Sequence, residues 1–234
     1  MISLSKIEAQ APDMVRLAKT AGVSLTKHGL AGQRAAVYLV VDRSGSMSGY
    51  YNDGSVQHLT DQALGLSVNL DDDGTVPLVM FDSRPYPTVT VDLDRYQGVI
   101  SQQHELHGGR RTMGGTNYSV AMNVVVDDYL NSGMGAPALV IFQTDGAPQD
   151  AEVAAQLLAR LSSRPIFWAF VGFGRTEVPF LQRLNTLPGR AVDNSSYFHA
   201  GAIPQAIDDA VLYDGITAEF SQWLPAARAL GIVR

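Results

Sequence analysis

No cysteine occurs among the 234 residues. That excludes disulfides, cysteine nucleophiles and thiolate metal sites, although it does not fix the compartment. Basic clusters are equally scarce. Arg110-Arg111 is too short to form a nucleic-acid surface, and the formal charge is −6, so nucleic acid is not an expected partner. No apolar run approaches the roughly 20 residues needed to span a bilayer, which argues against membrane insertion. The opening "MISLSKIEAQAPDM" lacks the basic-then-apolar order of a secretory signal. The expectation is a cytoplasmic protein.

What is present is a set of short, unbroken apolar runs at intervals. They are "AAVYLVV" (35–41), "VPLVMF" (76–81), "PALVIFQ" (137–143) and "PIFWAFV" (165–171). Runs rich in Val, Ile and aromatics, without polar alternation, suit strands buried on both faces. Between them lie stripes with helical period. Val56, Leu59, Ala63, Leu66 and Leu70 share one face; so do Tyr118, Met122, Val125 and Tyr129, and then Val153, Leu157, Leu158 and Leu161. This alternation predicts an α/β fold: a doubly wound, mostly parallel open sheet with helices on both faces.

One segment breaks the rhythm. "YPTVTVDL" follows the run at 76–81 after only "DSRP". Four residues cannot make a parallel crossover, which takes about a dozen. Residues 86–92 are therefore expected to form an antiparallel edge strand, where Pro85 and Pro87 are tolerated. A weaker strand is expected near 196–200, followed by helices at about 203–212 and 215–230. Residues 1–33, with a short amphipathic helix in "APDMVRLAKTAG", read as an arm packed on the main domain, which runs from 34 to 234.

Oxygen donors collect where the strands end. The first run closes on Asp42-Arg43-Ser44-Gly45-Ser46. The third parallel run closes on "QTDG", bringing Asp145. "GGRRTMGGTNYS" carries Thr116 to the start of a helix. Ligand sites in open α/β sheets form outside the carboxyl ends of the strands. Two carboxylates and three hydroxyls make a hard oxygen set suited to Mg²⁺, Mn²⁺ or Ca²⁺ rather than zinc. Glycines 45, 49, 114, 115 and 146 are expected to let these loops crowd together.

Each motif also has a blander reading. Asp42, Ser44 and Ser46 are also good helix caps, but a cap needs no third loop. Asp82 is expected to start a hairpin turn. "NLDDDG" begins like a calcium loop but has Met80 where a bidentate Glu is required. "GRRTMGGT" has Gly115 where a phosphate loop needs Lys. His104 and His107 lack a third ligand. Arg110 and Arg111 read as surface charge that can steer an acidic partner. Trp168 and Trp223 read as core, and Asp150 as a bystander.

The combination Asp42-x-Ser44-x-Ser46, Thr116 in "GGTN" and Asp145 in "TDG" resembles the metal-ion-dependent adhesion site of von Willebrand factor A (vWA) domains over about residues 35–215. The antiparallel edge strand is also a feature of that fold. The resemblance implies that Ser44, Ser46 and Thr116 coordinate Mg²⁺ (Mn²⁺ or Ca²⁺ being alternatives) through their hydroxyls. It implies that Asp42 and Asp145 act directly or through waters, and that the last position takes water or a partner's Asp or Glu carboxylate. "ISLSK", "VSLTKHGL" and "VYLVVDRSGSM" are further similar to vWA proteins of bacterial tellurium-resistance (Ter) and toxic-cation stress systems. The expected function is thus a non-enzymatic, metal-dependent protein-interaction domain. The alternatives are a metal-dependent hydrolase (phosphatase or esterase), for which no separate general base is evident, and a scaffold whose metal only braces loops.

Overall fold

The computed structural model describes residues 2–234. In chain order the elements are α1 (Leu4–Gln10), α2 (Met14–Lys27), β1 (Ala36–Asp42), α3 (Ser48–Asn52), α4 (Ser55–Leu70), β2 (Val76–Phe81), β3 (Val89–Val91), α5 (Val99–Leu106), α6 (Tyr118–Asn131), β4 (Ala138–Thr144), α7 (Ala151–Leu161), β5 (Ile166–Phe173), α8 (Pro179–Asn185), β6 (Ser195–Gly201) and α9 (Asp209–Ala229).

The strands form one sheet in the order β3-β2-β1-β4-β5-β6. All neighbours pair parallel except β2 and β3. Alternate residues of each strand enter opposite layers. Val37, Leu39 and Val41 join a core built with α1, α2, α4 and α9. Tyr38 and Val40 join a second core with α6, α7 and α8. This two-sided burial explains the unbroken apolar runs. From β1 the chain moves to β2 on one side and later to β4 on the other, so the winding reverses between β1 and β4. Their carboxyl ends flank the crevice that such a reversal opens.

The edge strand is antiparallel as expected but interrupted: Val89–Val91 form the strand on β2, and nearer the turn Pro85 makes an isolated antiparallel bridge to Phe81 and Tyr86 N–H donates to the Met80 carbonyl at 2.9 Å. Pro87, which has no N–H to give, lies in the gap between the two stretches. Two helices expected near the C-terminus are instead one, α9, preceded by a 3-10 turn at Pro204–Ala206. Gly215 does not break it. A Cβ there would sit 2.3 Å from Phe198 Cδ2, so this glycine lets the helix approach β6. The helix in the arm runs on to Lys27. Ser24 disguised it, because this polar residue lies in the buried stripe and hydrogen-bonds Asp214 at 2.6 Å and Thr217 at 3.1 Å. Helices α1, α3, α5 and α8 span only five to eight residues, too few to show a helical period. Trp168 and Trp223 are both core, with Trp223 packed on Phe167 and Phe220.

Candidate functional site at the β1 and β4 carboxyl ends

Asp42 is the last residue of β1 and is fully buried. Its Oδ1 accepts from the Ser44 N–H at 2.6 Å, and its Oδ2 accepts from the Thr144 hydroxyl, at the end of β4, at 2.7 Å. The Asp42 carbonyl accepts from Tyr51 Oη at 3.1 Å. Ser44 Oγ and Ser46 Oγ lie 3.1 Å apart, and Ser46 Oγ donates to Asp145 Oδ1 at 2.8 Å. Four of the five predicted residues thus form one hydrogen-bonded cluster. Ser44 makes no side-chain cap bond to the turn that follows, so helix capping does not account for it.

Thr116 arrives on a separate loop and is tied in through its backbone. Gly45 N–H donates to the Gly114 carbonyl at 3.0 Å, and Ser44 and Gly114 form a parallel bridge. The Thr116 carbonyl accepts from Gln149 N–H at 2.8 Å. Among the described residues the Thr116 hydroxyl has no hydrogen bond to the cluster. Two of the five flanking glycines permit this crowding. A Cβ on Gly114 would come within 3.0 Å of Asp82, and one on Gly115 within 2.5 Å of Gln149 Oε1. At Gly49 and Gly146 a Cβ would meet nothing within 4 Å, and at Gly45 only Gly114 O at 4.0 Å; the expectation of crowding fails for these three.

Asp150 is not a bystander. Its carboxylate accepts from the N–H groups of Tyr118 and Ser119, both at 2.9 Å. It therefore satisfies the N-terminus of α6, where Asn117 makes no side-chain cap bond. Sequence reasoning missed it because the capping residue comes from another loop. It also missed Thr144, whose signal was a polar residue closing an apolar run. Asp82 forms the expected turn: Arg84 N–H donates to its Oδ1 at 3.0 Å, and Tyr86 Oη to its Oδ2 at 2.6 Å. Asp71–Gly74 form a polar turn. His104 is buried with its ring stacked on Tyr51, and His107 packs on Tyr86. Arg110 and Arg111 are exposed.

Burial pushes the Asp42 carboxyl up to about 7; hydrogen bonds from Thr144 and Ser44 offset this only partly, and the charge of Asp145 adds to it. Burial also raises Asp145, against the Ser46 hydrogen bond. A cation beside them would relieve both costs. Among the described residues no three His, Cys, Asp or Glu side chains gather as a metal site; a cation here would depend on the hydroxyls. The donors present suit a hard divalent ion.

A pH dependence follows for the metal-free protein. An aspartate in the unfolded chain titrates near 3.8, whereas folded Asp42 keeps its proton to about 7. Between those values the folded state binds the extra proton, so stability falls as pH rises through about 7. Asp61, raised by burial to about 6, acts in the same direction. In chelator, the melting temperature is expected to be lower at mildly alkaline than at mildly acidic pH. Asp42→Asn should remove the part of that slope nearest pH 7. Melting curves across this range check both, and an unchanged slope in Asp42→Asn would assign the effect to other groups.

Comparison with known proteins agrees with this architecture. A family model described as the vWA domain found in the TerF C-terminus matches residues 34–233. Protein YcbR of Bacillus subtilis is 30% identical over 217 residues, covering 92% of this chain and 88% of its own. Proximal thread matrix protein 1 of the mussel byssus superposes with a TM-score of 0.54 at 16% identity, over 80% of this chain and 48% of that one. The TRAP protein of Plasmodium vivax, in a manganese-loaded structure, gives 0.53 at 22% identity, over 77% and 74%. A von Willebrand factor type A protein of Catenulispora acidiphila gives 0.51 at 15% identity, over 81% and 42%. The chain spans about half the length of the byssus protein and less than half of the Catenulispora one. At these identities the structural likeness establishes the fold alone. Among the described residues no helix is long and apolar enough to cross a membrane. The six-stranded sheet with its one antiparallel edge, together with a family match over 34–233, shows that the chain belongs to the TerF-like vWA family.

Proposed function

We propose that this vWA interaction domain binds a divalent cation through Asp42, Ser44, Ser46, Thr116 and Asp145, and uses it to hold a partner's Asp or Glu carboxylate. The observation that carries the reading is the hydrogen-bonded run Asp42–Ser44–Ser46–Asp145 at the switch between β1 and β4. With the neutral hydroxyls as direct ligands and Asp42 and Asp145 acting through waters, a bound Mg²⁺ is short of negative charge among its direct ligands, so an outside carboxylate is attracted to it. Two structural neighbours support a divalent metal in this fold: the byssus protein has been seen with zinc in its metal-ion-dependent adhesion site (MIDAS) motif, and TRAP in a manganese-loaded form. Mg²⁺ is our first choice, with Mn²⁺ and Ca²⁺ as alternatives. The TerF-like family supports a place in a cytoplasmic tellurite or toxic-cation stress complex, with other Ter-type proteins as partners.

A bound cation should stabilise the fold, by about 2.7 kcal/mol at a hundredfold excess over Kd. Calorimetry and melting scans with Mg²⁺, Mn²⁺, Ca²⁺, Zn²⁺ or chelator read this. Superimposable melts, with no heat of binding at millimolar metal, would remove the metal from the reading. Capture of a carboxylate-bearing peptide in Mg²⁺ and its release by EDTA then separates a docking ion from a loop brace. Phosphatase and esterase assays in Mg²⁺ test the hydrolytic alternative.

A further inference from the structure

Arg43 lies between Asp42 and Ser44, two of the proposed ligands, and its side chain is fully buried. It faces away from them. Nη1 donates to Tyr86 Oη at 2.8 Å and to the Thr112 carbonyl at 3.3 Å. Nη2 donates to the carbonyls of Gly109 at 2.7 Å and His107 at 3.1 Å, and to Thr112 Oγ1 at 2.9 Å. The nearest carboxylate oxygen, Asp82 Oδ2, is 3.8 Å from Nη1, and Tyr86 Oη bridges the two by donating to it. The guanidinium also lies 5.0 Å from the Tyr86 ring centroid. A guanidinium keeps its charge in proteins, and burying one is costly unless its donors are matched. Here the Nη donors are matched largely by carbonyls of the segment that closes α5 and leads to Met113, while the buried Nε has no partner among the described residues. Carbonyls at a helix C-terminus carry partial negative charge and suit a cation.

That segment runs directly into Gly114 and Thr116, and Gly114 meets the Ser44–Ser46 loop through the Ser44–Gly114 bridge and the Gly45–Gly114 hydrogen bond. Arg43 thus hangs the Thr116 loop from the same strand end that supplies Asp42 and Ser44. We propose that Arg43 is a positioning residue, fixing the 107–112 segment so that Thr116 is held in place for the cation and the site's metal affinity is set. This rests on the metal reading above. It concerns a residue that touches neither metal nor partner.

The test uses Mn²⁺ calorimetry and amide hydrogen exchange on the full chain. Arg43→Lys retains a charge but cannot span the carbonyls, and Tyr86→Phe removes the hydroxyl that accepts from Arg43 and donates to Asp82. Both are expected to weaken Mn²⁺ binding, Arg43→Lys by about 10–100-fold, the usual cost of removing a residue that orients ligands. Exchange should speed up over 107–116 in the metal-free protein. Leu158→Ala, in the core layer of α6, α7 and α8, should lower the melting temperature with unchanged affinity, separating positioning from general stability. If Arg43→Lys proves unfolded, Tyr86→Phe carries the test by itself. Wild-type affinity and unchanged exchange in the folded variants would overturn the inference while leaving the metal site standing. A wild-type protein that binds no Mn²⁺ would overturn the metal reading, and this inference with it.

Discussion

Asp145→Ala is expected to abolish metal-dependent capture of the partner while the fold survives. Asp145 follows β4, is half-buried, and receives one side-chain hydrogen bond, from Ser46. Truncating it opens no apolar cavity of the kind that makes core substitutions costly. It also removes a neighbouring negative charge from Asp42, which burial already burdens. The metal-free variant should therefore melt no lower than wild type. Its metal affinity should fall by more than the roughly 100-fold seen when only a ligand's supporting partner is lost. Thr116→Ala should act in the same direction, since the bond from Gln149 N–H to its carbonyl is kept by Ala. Asp150 cannot serve as the control. Its carboxylate caps α6, and Ala there should cost about 1 kcal/mol and loosen the loop that carries Thr116. Asp127, exposed on α6, is the better control. Pull-downs in Mg²⁺, with circular dichroism on each variant, decide the matter. Unchanged capture by Asp145→Ala would mean that the cation is not the docking point and would favour the scaffold reading.

Removing residues 2–30 should cost the domain its cooperative fold. α2 lies against α4 and α9, with Met14, Leu17, Ala18, Ala21 and Leu25 buried. Leu17 packs so close to α4 that a Cβ on Gly65 would come within 2.9 Å of its own Cβ. Polar ties reinforce the seat: Asn69 donates to the Ala18 carbonyl at 2.9 Å, and Ser24 to Asp214. A single Leu17→Ala change should cost about 2–5 kcal/mol, against a total stability of roughly 5–15 kcal/mol for a domain. Losing the whole helix exceeds that margin and exposes an apolar groove. The family match begins at residue 34, so this dependence would belong to the arm itself. A truncated chain that stays monodisperse and melts at the wild-type temperature would reduce the arm to a tail.

Sheet class, strand positions and the list of oxygen donors were legible in the sequence for a common reason. Each is written locally. Burial on both faces forces unbroken apolar runs such as 35–41, four residues between β2 and the edge cannot hold a crossover, and Asp42, Ser44 and Ser46 fall together at one strand end. What lay beyond local reading depends on partners distant in the chain. Asp150 looks like a helix start until its carboxylate is seen on the N–H groups of Tyr118 and Ser119. Gly215 looks like a break until Phe198 occupies the space of its missing Cβ. Arg43 looks like a spacer within a motif until its guanidinium meets carbonyls more than sixty positions away. Periodicity and motif spacing report what a residue does within its own element. Hydrogen bonds and close packing across the strand ends are properties of the assembled sheet, and only the tertiary structure decided them.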